Sequence, residues 1–251
     1  MVHKKNFVIV SLPRTGTTML CIALDRLKGF NVYGEILVNR AFHMVIKTHP
    51  QEAIEALRQK NQPKNLYQFL SKRYNFTDKE FPLRRITNGD IDDYLDGIFS
   101  ESGNVGFKLL YPHMDRTPHV VSYIRNRDLR IVHLYREDTL KQVISAFTNQ
   151  HMHKHDGKKK MVLSDAEIKA IPNMIKDIQD KDKRLQDLFS GHNRYAKISY
   201  EDMTSDSDSD VINTGSISDL FDIPKVISSY TKKYGPTDIK DRIENWEEIN
   251  V

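Results

Sequence analysis

Residues 7–18 constrain this chain more than any other stretch, because they join a buried strand, a tight loop and a helix start. Residues 7–10 are apolar and mostly β-branched, which is typical of a strand buried on both faces. The loop contains Pro13, and the apolar spacing from Gly16 onward predicts a helix. Backbone N–H groups at a helix start are unpaired, and the helix dipole favours an anion there. The stretch therefore predicts an anion-binding turn.

Further apolar runs alternate with helical patterns along the chain. Strands are predicted at 31–33, 105–110, 129–135 and 195–200. Helices are predicted at 90–100, from about Met114 through 124, at 139–150, from the Ser164/Glu167 capping box to about 188, and near 216–230 and 238–249. This alternation predicts an α/β fold, with a parallel sheet covered by helices on both faces. Ligands of such sheets bind beyond the carboxyl ends of the strands.

The length of 251 residues fits a single domain, 1–251. Short amphipathic segments within 36–100 indicate a helical insertion that contributes the substrate region. Two polar stretches, 151–163 and 204–214, are interpreted as surface loops.

Composition and charge bear on the kind of partner and on the cellular compartment. The net charge of +4 is too small to indicate a nucleic-acid partner. Cys21 is the single cysteine, which favours a reducing compartment, and no apolar run approaches the ~20 residues of a membrane span. Residues 1–5 lead into the first strand without an apolar signal region. We therefore expect a cytoplasmic protein; the sequence indicates no oligomeric state.

The loop differs from the Walker A pattern at two informative positions. Ser11 occupies the place of the first glycine, and Thr17 occupies the place of the lysine that contacts nucleoside triphosphates. The positive charge lies instead on Arg14, ahead of the glycine. These differences count against a nucleotide kinase or hydrolase, although a degenerate version of either stays an alternative.

Residues 13–18, PRTGTT, resemble the 5′-phosphosulfate loop of the sulfotransferases that use 3′-phosphoadenosine-5′-phosphosulfate (PAPS). The resemblance implies a P-loop-NTPase-like sulfotransferase fold, PAPS as sulfuryl donor, 3′-phosphoadenosine-5′-phosphate (PAP) as product, and no metal. It also implies that Arg14 stabilises charge on the phosphate–sulfate bridging oxygen. The 5′-phosphate would be bound by Thr15, Gly16, Thr17 and Thr18.

Two later segments resemble other parts of the same family. Arg136 follows a predicted strand and Ser145 lies nine residues later, which resembles the family's 3′-phosphate site. With Gln142 between them, the pattern is most similar to the bacterial trehalose-sulfotransferase branch. Residues 200–203, YEDM, resemble a cytosolic segment in which the tyrosine lies by the adenine, which makes Tyr200 a candidate adenine contact. The cytosolic R-K-G motif is missing, with Arg242 or Lys240 as possible substitutes.

A transfer to a hydroxyl also needs a base. The trehalose branch is understood to use a glutamate soon after the first helix, and Glu35 occupies that place. His113 is the alternative catalytic base, with His43 and His49 as further candidates. Lys108 either ends at a strand tip or contacts the substrate. The acceptor is expected to be a carbohydrate or small metabolite, and a non-catalytic PAP-binding relative is a third possibility.

Overall fold

The computed structural model describes residues 4–37, 73, 87–152, 160–205, 210–229 and 239–249. Five parallel strands form one sheet in the order β2-β3-β1-β4-β5, and two short antiparallel strands, β6 and β7, form a second. The strands are β1 Phe7–Ser11, β2 Phe30–Glu35, β3 Asn104–Leu110, β4 Arg130–Tyr135, β5 Tyr195–Ser199, β6 Val211–Asn213 and β7 Val226–Ser228. The predicted α/β class, a parallel sheet flanked by helices, is confirmed.

Helices connect the strands and cover the sheet. They are α1 Thr17–Asp25, α2 Asn88–Phe99, α3 Tyr111–Arg116, α4 His119–Asn126, α5 Thr139–Met152, α6 Asp165–Phe189, α7 Tyr200–Met203 and α8 Gly215–Phe221, followed by 3₁₀ turns at Ile239–Arg242 and Trp246–Glu248. Within the described ranges, no helix is both long and apolar enough to cross a membrane.

The central strand β1 is buried along its whole length, as its apolar sequence predicts. Successive side chains of a strand point to opposite faces. Val8 and Val10 therefore join a core with α2, α4 and α6, whereas Phe7 and Ile9 join a second core with α1 and α8. Burial on both faces explains why β1 lacks the polar alternation of a half-exposed strand.

One predicted helix is two helices in the structure. We expected a helix from about Met114 to continue through 124, but α3 ends at Arg116 and α4 begins at His119. Pro118 has no backbone N–H and disfavours a helical conformation at the residue before it. Thr117 accordingly has φ −138° and ψ 64°.

The loops and the C-terminal region also differ from expectation. In 151–163, Met152 ends α5, and Met161 and Leu163 are buried. In 204–214, β6 replaces part of the predicted loop. The predicted helix 216–230 ends at Phe221, because Asp222 turns into the left-handed region at φ 55° and β7 then pairs with β6. Of the predicted insertion 36–100, little beyond α2 lies within the described residues.

Candidate functional site

The candidate site residues lie at one edge of the sheet. All five strands of the large sheet are parallel, so their carboxyl ends share that edge. From the sequence, each residue could be assigned only to the end of its own strand. The candidate site residues are Arg14 and Gly16 after β1, Glu35 at the end of β2, His113 after β3, Arg136 after β4 and Tyr200 after β5.

The loop between β1 and α1 has an unusual backbone. Arg14 has φ 70° and Gly16 has φ 85°, both in the left-handed region. The Thr15 hydroxyl is buried, donates to the Leu12 carbonyl at 3.0 Å and contacts the Ser11 hydroxyl. This hydroxyl is therefore engaged within the loop, and Arg14 is the loop side chain left for a ligand. Thr17, which is buried, and Thr18 are the first two residues of α1.

Helix α1 begins without the caps that open two other helices. The Thr87/Asp90 capping box opens α2, and the predicted Ser164/Glu167 box opens α6. At α1, the N-cap is Gly16, which supplies no side-chain hydrogen bond, and the first turn contains no acidic residue. The unpaired N–H groups and positive dipole end of α1 are therefore available to an external anion.

Tyr200 packs directly against Gly16. A Cβ atom added at Gly16 would lie 2.6 Å from Tyr200 Cδ2, closer than any side chain can approach. The guanidinium of Arg136 lies over the Tyr200 ring, with its Cζ 4.7 Å from the ring centroid. The loop, β4 and β5 thus meet around one tyrosine ring.

Arg14 and Arg136 are tied to the same small region. Arg14 Nε donates to Ser145 Oγ at 3.1 Å, and Arg136 Nη1 donates to the Arg14 carbonyl at 3.5 Å. Buried Gln142 donates to the Pro13 carbonyl at 2.7 Å and so joins α5 to the loop. The structure therefore brings together the residues predicted for two separate phosphate sites.

The region carries an excess of positive charge. The pKa of Arg14 is lowered, first by burial and then by the charges of Arg136 and Arg242. Burial and the charge of Arg136 also lower the pKa of Arg242. Arg136 Nε is buried without a hydrogen-bond partner; its contact with Glu201 Oε1 is 3.6 Å long. Clustered guanidinium groups of this kind are stabilised by a bound anion. Of the two proposed substitutes, Arg242 lies in this field, whereas Lys240 lies over Trp246.

Glu201 is a residue that the sequence analysis missed. Its carboxylate accepts backbone N–H bonds from Glu137 at 2.9 Å and Asp138 at 3.4 Å, in addition to facing Arg136. It therefore fixes the turn that carries Arg136 out of β4. The available signal was its position beside Tyr200 in the YEDM segment, which was interpreted only for the tyrosine.

A second polar cluster lies at the ends of β2 and β3. The pairing of these strands shifts register between Tyr33 and Glu35, so that the bulge at Gly34 sets Glu35 opposite Lys108. Lys108 Nζ lies 2.6 Å from Glu35 Oε1, and His113 Nε2 lies 3.6 Å from Glu35 Oε2. Lys108 is buried and ends at the carboxylate, not at a solvent-exposed strand tip.

The hydrogen bonds of His113 define its protonation. Its Nδ1 accepts the Leu110 backbone N–H at 3.3 Å, so this nitrogen carries no proton. Burial lowers the pKa of His113, and the nearby charges of Lys108 and Arg116 lower it further, against the opposing effect of Glu35. The ring is therefore neutral near pH 7, with its proton on Nε2 facing Glu35.

Other sequence candidates lie outside the described residues, namely His43 and His49. No group of three or more His, Cys, Asp and Glu side chains converges in the part of the chain that the structure describes.

No protein-family model matches this chain, and a search of curated proteins finds no match either.

Proposed function

We propose that this chain is a sulfotransferase that moves a sulfuryl group from PAPS to a hydroxyl of a carbohydrate or small metabolite. The observation that carries the proposal is the contact of Arg14 with Ser145 and of Arg136 with the Arg14 carbonyl, beside the uncapped start of α1. PAPS carries anionic groups at both its 5′ and 3′ positions, so it needs two neighbouring anion sites. The single, buried Cys21 is compatible with a reducing compartment such as the cytoplasm.

The residues fit the two anionic ends of PAPS. Arg136 would hold the 3′-phosphate, because its buried Nε has no hydrogen-bond partner and a guanidinium binds phosphate through a planar fork of donors. Ser145 would supply a hydroxyl. The N–H groups at the start of α1 would hold the 5′-phosphate, and Gly16 permits the left-handed turn, at φ 85°, that opens this helix. The Tyr200 ring is the candidate surface for adenine.

The reaction breaks the bond between sulfur and the bridging oxygen and forms a bond from sulfur to the acceptor oxygen. Arg14 and the helix start would stabilise the charge that develops on the departing phosphate oxygen. Glu35 would take the acceptor proton. Lys108 and the Nε2–H of His113 both face this carboxylate and would keep it oriented.

The geometry favours Glu35 over His113 as the base. A general base needs a lone pair that can receive a proton. In neutral His113, the Nδ1 lone pair accepts the Leu110 N–H and the other nitrogen already carries the proton. The oxygens of the Glu35 carboxyl group carry lone pairs, and a quarter of this side chain is exposed to solvent.

Calorimetry with PAP, AMP and ATP–Mg²⁺ tests the ligand class. We expect PAP to bind more tightly than AMP, and Arg136→Ala to weaken PAP by about 10- to 150-fold, the value of a charge-assisted hydrogen bond, with little effect on AMP. Arg127→Ala, at the opposite edge of the sheet, is the matched control. Equal losses for PAP and AMP would remove the 3′-phosphate assignment, and preference for ATP–Mg²⁺ would indicate a kinase or hydrolase.

Transfer of labelled sulfate from PAPS to a panel of alcohols and sugars tests the activity itself. We expect a labelled, sulfated product together with PAP. PAP binding without transfer to any member of a broad panel would instead identify a non-catalytic relative.

A further inference from the structure

A cleft lies between α6 and the carboxyl ends of β1 and β4. Among the described residues it has a volume of about 220 Å³, less than the roughly 300–1,000 Å³ of pockets for drug-sized ligands. Thr15 and Arg136 line it, so it adjoins the anion-binding region, but Gly16, Ser145 and Tyr200 do not. The cleft is thus a neighbour of the proposed PAPS site and shares Thr15 and Arg136 with it.

Asp182 is the acidic residue that lines this cleft, and two basic side chains hold its carboxylate in place. Fully buried His133 contacts Asp182 Oδ1 through Nε2 at 2.9 Å, and Lys197 Nζ donates to Oδ2 at 3.1 Å. The other ring nitrogen of His133 bonds to the Tyr195 hydroxyl at 2.7 Å. Burial raises the pKa of Asp182, but these bonds lower it by more, so the carboxylate is ionised. Side chains oriented by a supporting layer of hydrogen bonds are typical of binding sites.

Side chains that can donate hydrogen bonds line the cleft together with the Asp182 carboxylate. Gln186 Oε1 accepts from Lys197 Nζ at 3.0 Å, which leaves the Gln186 amide N–H groups to donate. Gln179 and Lys183 also line the cleft. Within the described residues, neither makes a side-chain hydrogen bond or ion pair. The cleft therefore presents one fixed acceptor group and several uncommitted donors.

The mixture of charges defines the ligand that the cleft would accept. Asp182, paired with Lys197, supplies a carboxylate acceptor, whereas Arg136 and Lys183 supply donors and would repel a cation. A hydroxyl group both donates and accepts, so it can pair with either kind of side chain. We propose that the cleft binds a neutral, polyhydroxylated ligand of about monosaccharide size.

The bound unit is not the group that receives sulfate. Glu35 ends β2 and the cleft adjoins β1 and β4, two to three strand spacings away, or roughly 10–14 Å at about 4.8 Å per spacing. The polyhydroxylated unit has two possible sources: the distal part of an extended acceptor, which rests on the proposed function, or a separate small polyol, which does not.

Calorimetry or saturation-transfer NMR with glucose, galactose and maltotriose, in the absence of PAP, tests the cleft. We expect millimolar binding that Gln179→Ala and Lys183→Ala each weaken by about 2- to 10-fold, the value of one hydrogen bond. Both residues are exposed, so the variants should fold. Lys176→Ala, an exposed lysine on the same helix outside the cleft, is the matched control and should leave binding unchanged.

The outcomes separate this inference from the proposed function. No binding of any sugar, or binding that both cleft variants leave intact, would overturn the cleft assignment. Tighter binding of maltotriose indicates the distal part of an acceptor, whereas equal binding of glucose indicates a separate polyol. PAP affinity is measured on the same samples: PAP binding without sugar binding defeats only the cleft, and sugar binding without PAP binding defeats only the sulfotransferase.

Discussion

Arg14 Nε donates to Ser145 Oγ at 3.1 Å, although the two residues lie 131 positions apart. The bond connects the loop after β1 with α5, the helix that follows β4. Because β1 and β4 are hydrogen-bonded neighbours, their carboxyl ends lie side by side. The two proposed anion sites are consequently one continuous surface, and a ligand with two anionic groups can contact both.

Arg14 should matter more for turnover than for product binding. We expect Arg14→Ala to reduce sulfate transfer by about 10²–10³-fold, because it removes a donor aimed at charge that develops during the reaction. PAP affinity should fall much less. Steady-state transfer assays and PAP calorimetry check this, with Arg14→Lys as the comparison that keeps the charge but not the planar fork. Equal loss in both measurements would mean that Arg14 only binds the nucleotide.

Glu35→Gln should reduce turnover by ~10²-fold or more with PAP affinity retained, because an amide cannot accept the acceptor proton. Its urea-unfolding free energy should be measured too, since Lys108 then faces a neutral partner. Glu101→Gln is the matched control: Glu101 bonds to Tyr33 and lies just before β3 begins, away from the site. Near-normal turnover in Glu35→Gln would exclude Glu35 as the base.

Two glycines with the same φ of 85° separate backbone strain from steric contact. Gly29→Ala should cost about 1–2 kcal/mol of unfolding free energy, for the left-handed conformation alone. Gly16→Ala should cost a further 1–3 kcal/mol or so, because its Cβ would meet the Tyr200 ring. Urea unfolding measures both. In a Tyr200→Ala background, Gly16→Ala should no longer show this additional loss of unfolding free energy. Equal costs for Gly16→Ala and Gly29→Ala in the otherwise unchanged protein would contradict the contact.

The pKa of His113 has a direct consequence for stability. Because burial lowers it below the ordinary 6.5, the native state binds fewer protons than the unfolded state just below that pH. Unfolding free energy should therefore fall as the pH drops through and below about 6.5. His113→Asn keeps an acceptor for the Leu110 N–H but does not titrate, so its stability should fall less between pH 7.5 and 5.5. Identical slopes for the two proteins would contradict the assignment.

Local patterns in the sequence were sufficient to predict much of the fold. The buried run of β1, the Ser164/Glu167 capping box and the α/β class depend on residues that are neighbours in the chain, and all three are confirmed. The prediction of one helix over 114–124 was wrong because Pro118 disfavours a helical conformation at the preceding residue. The β6–β7 pair was missed because short strands depend on a partner elsewhere in the chain.

The features of the candidate site also fall into two groups: those that arise from neighbouring residues and those that depend on the whole fold. The sequence by itself determined an open helix start after a buried strand, with Arg14 and Gly16 in its loop, because these features arise within one short segment. Only the tertiary structure decided that Arg14 meets Ser145, that Glu201 fixes the turn of Arg136, and that the Gly34 bulge sets Glu35 against Lys108. These contacts depend on strand order and register, which are set by packing of the whole sheet and cannot be derived from the residues on either side.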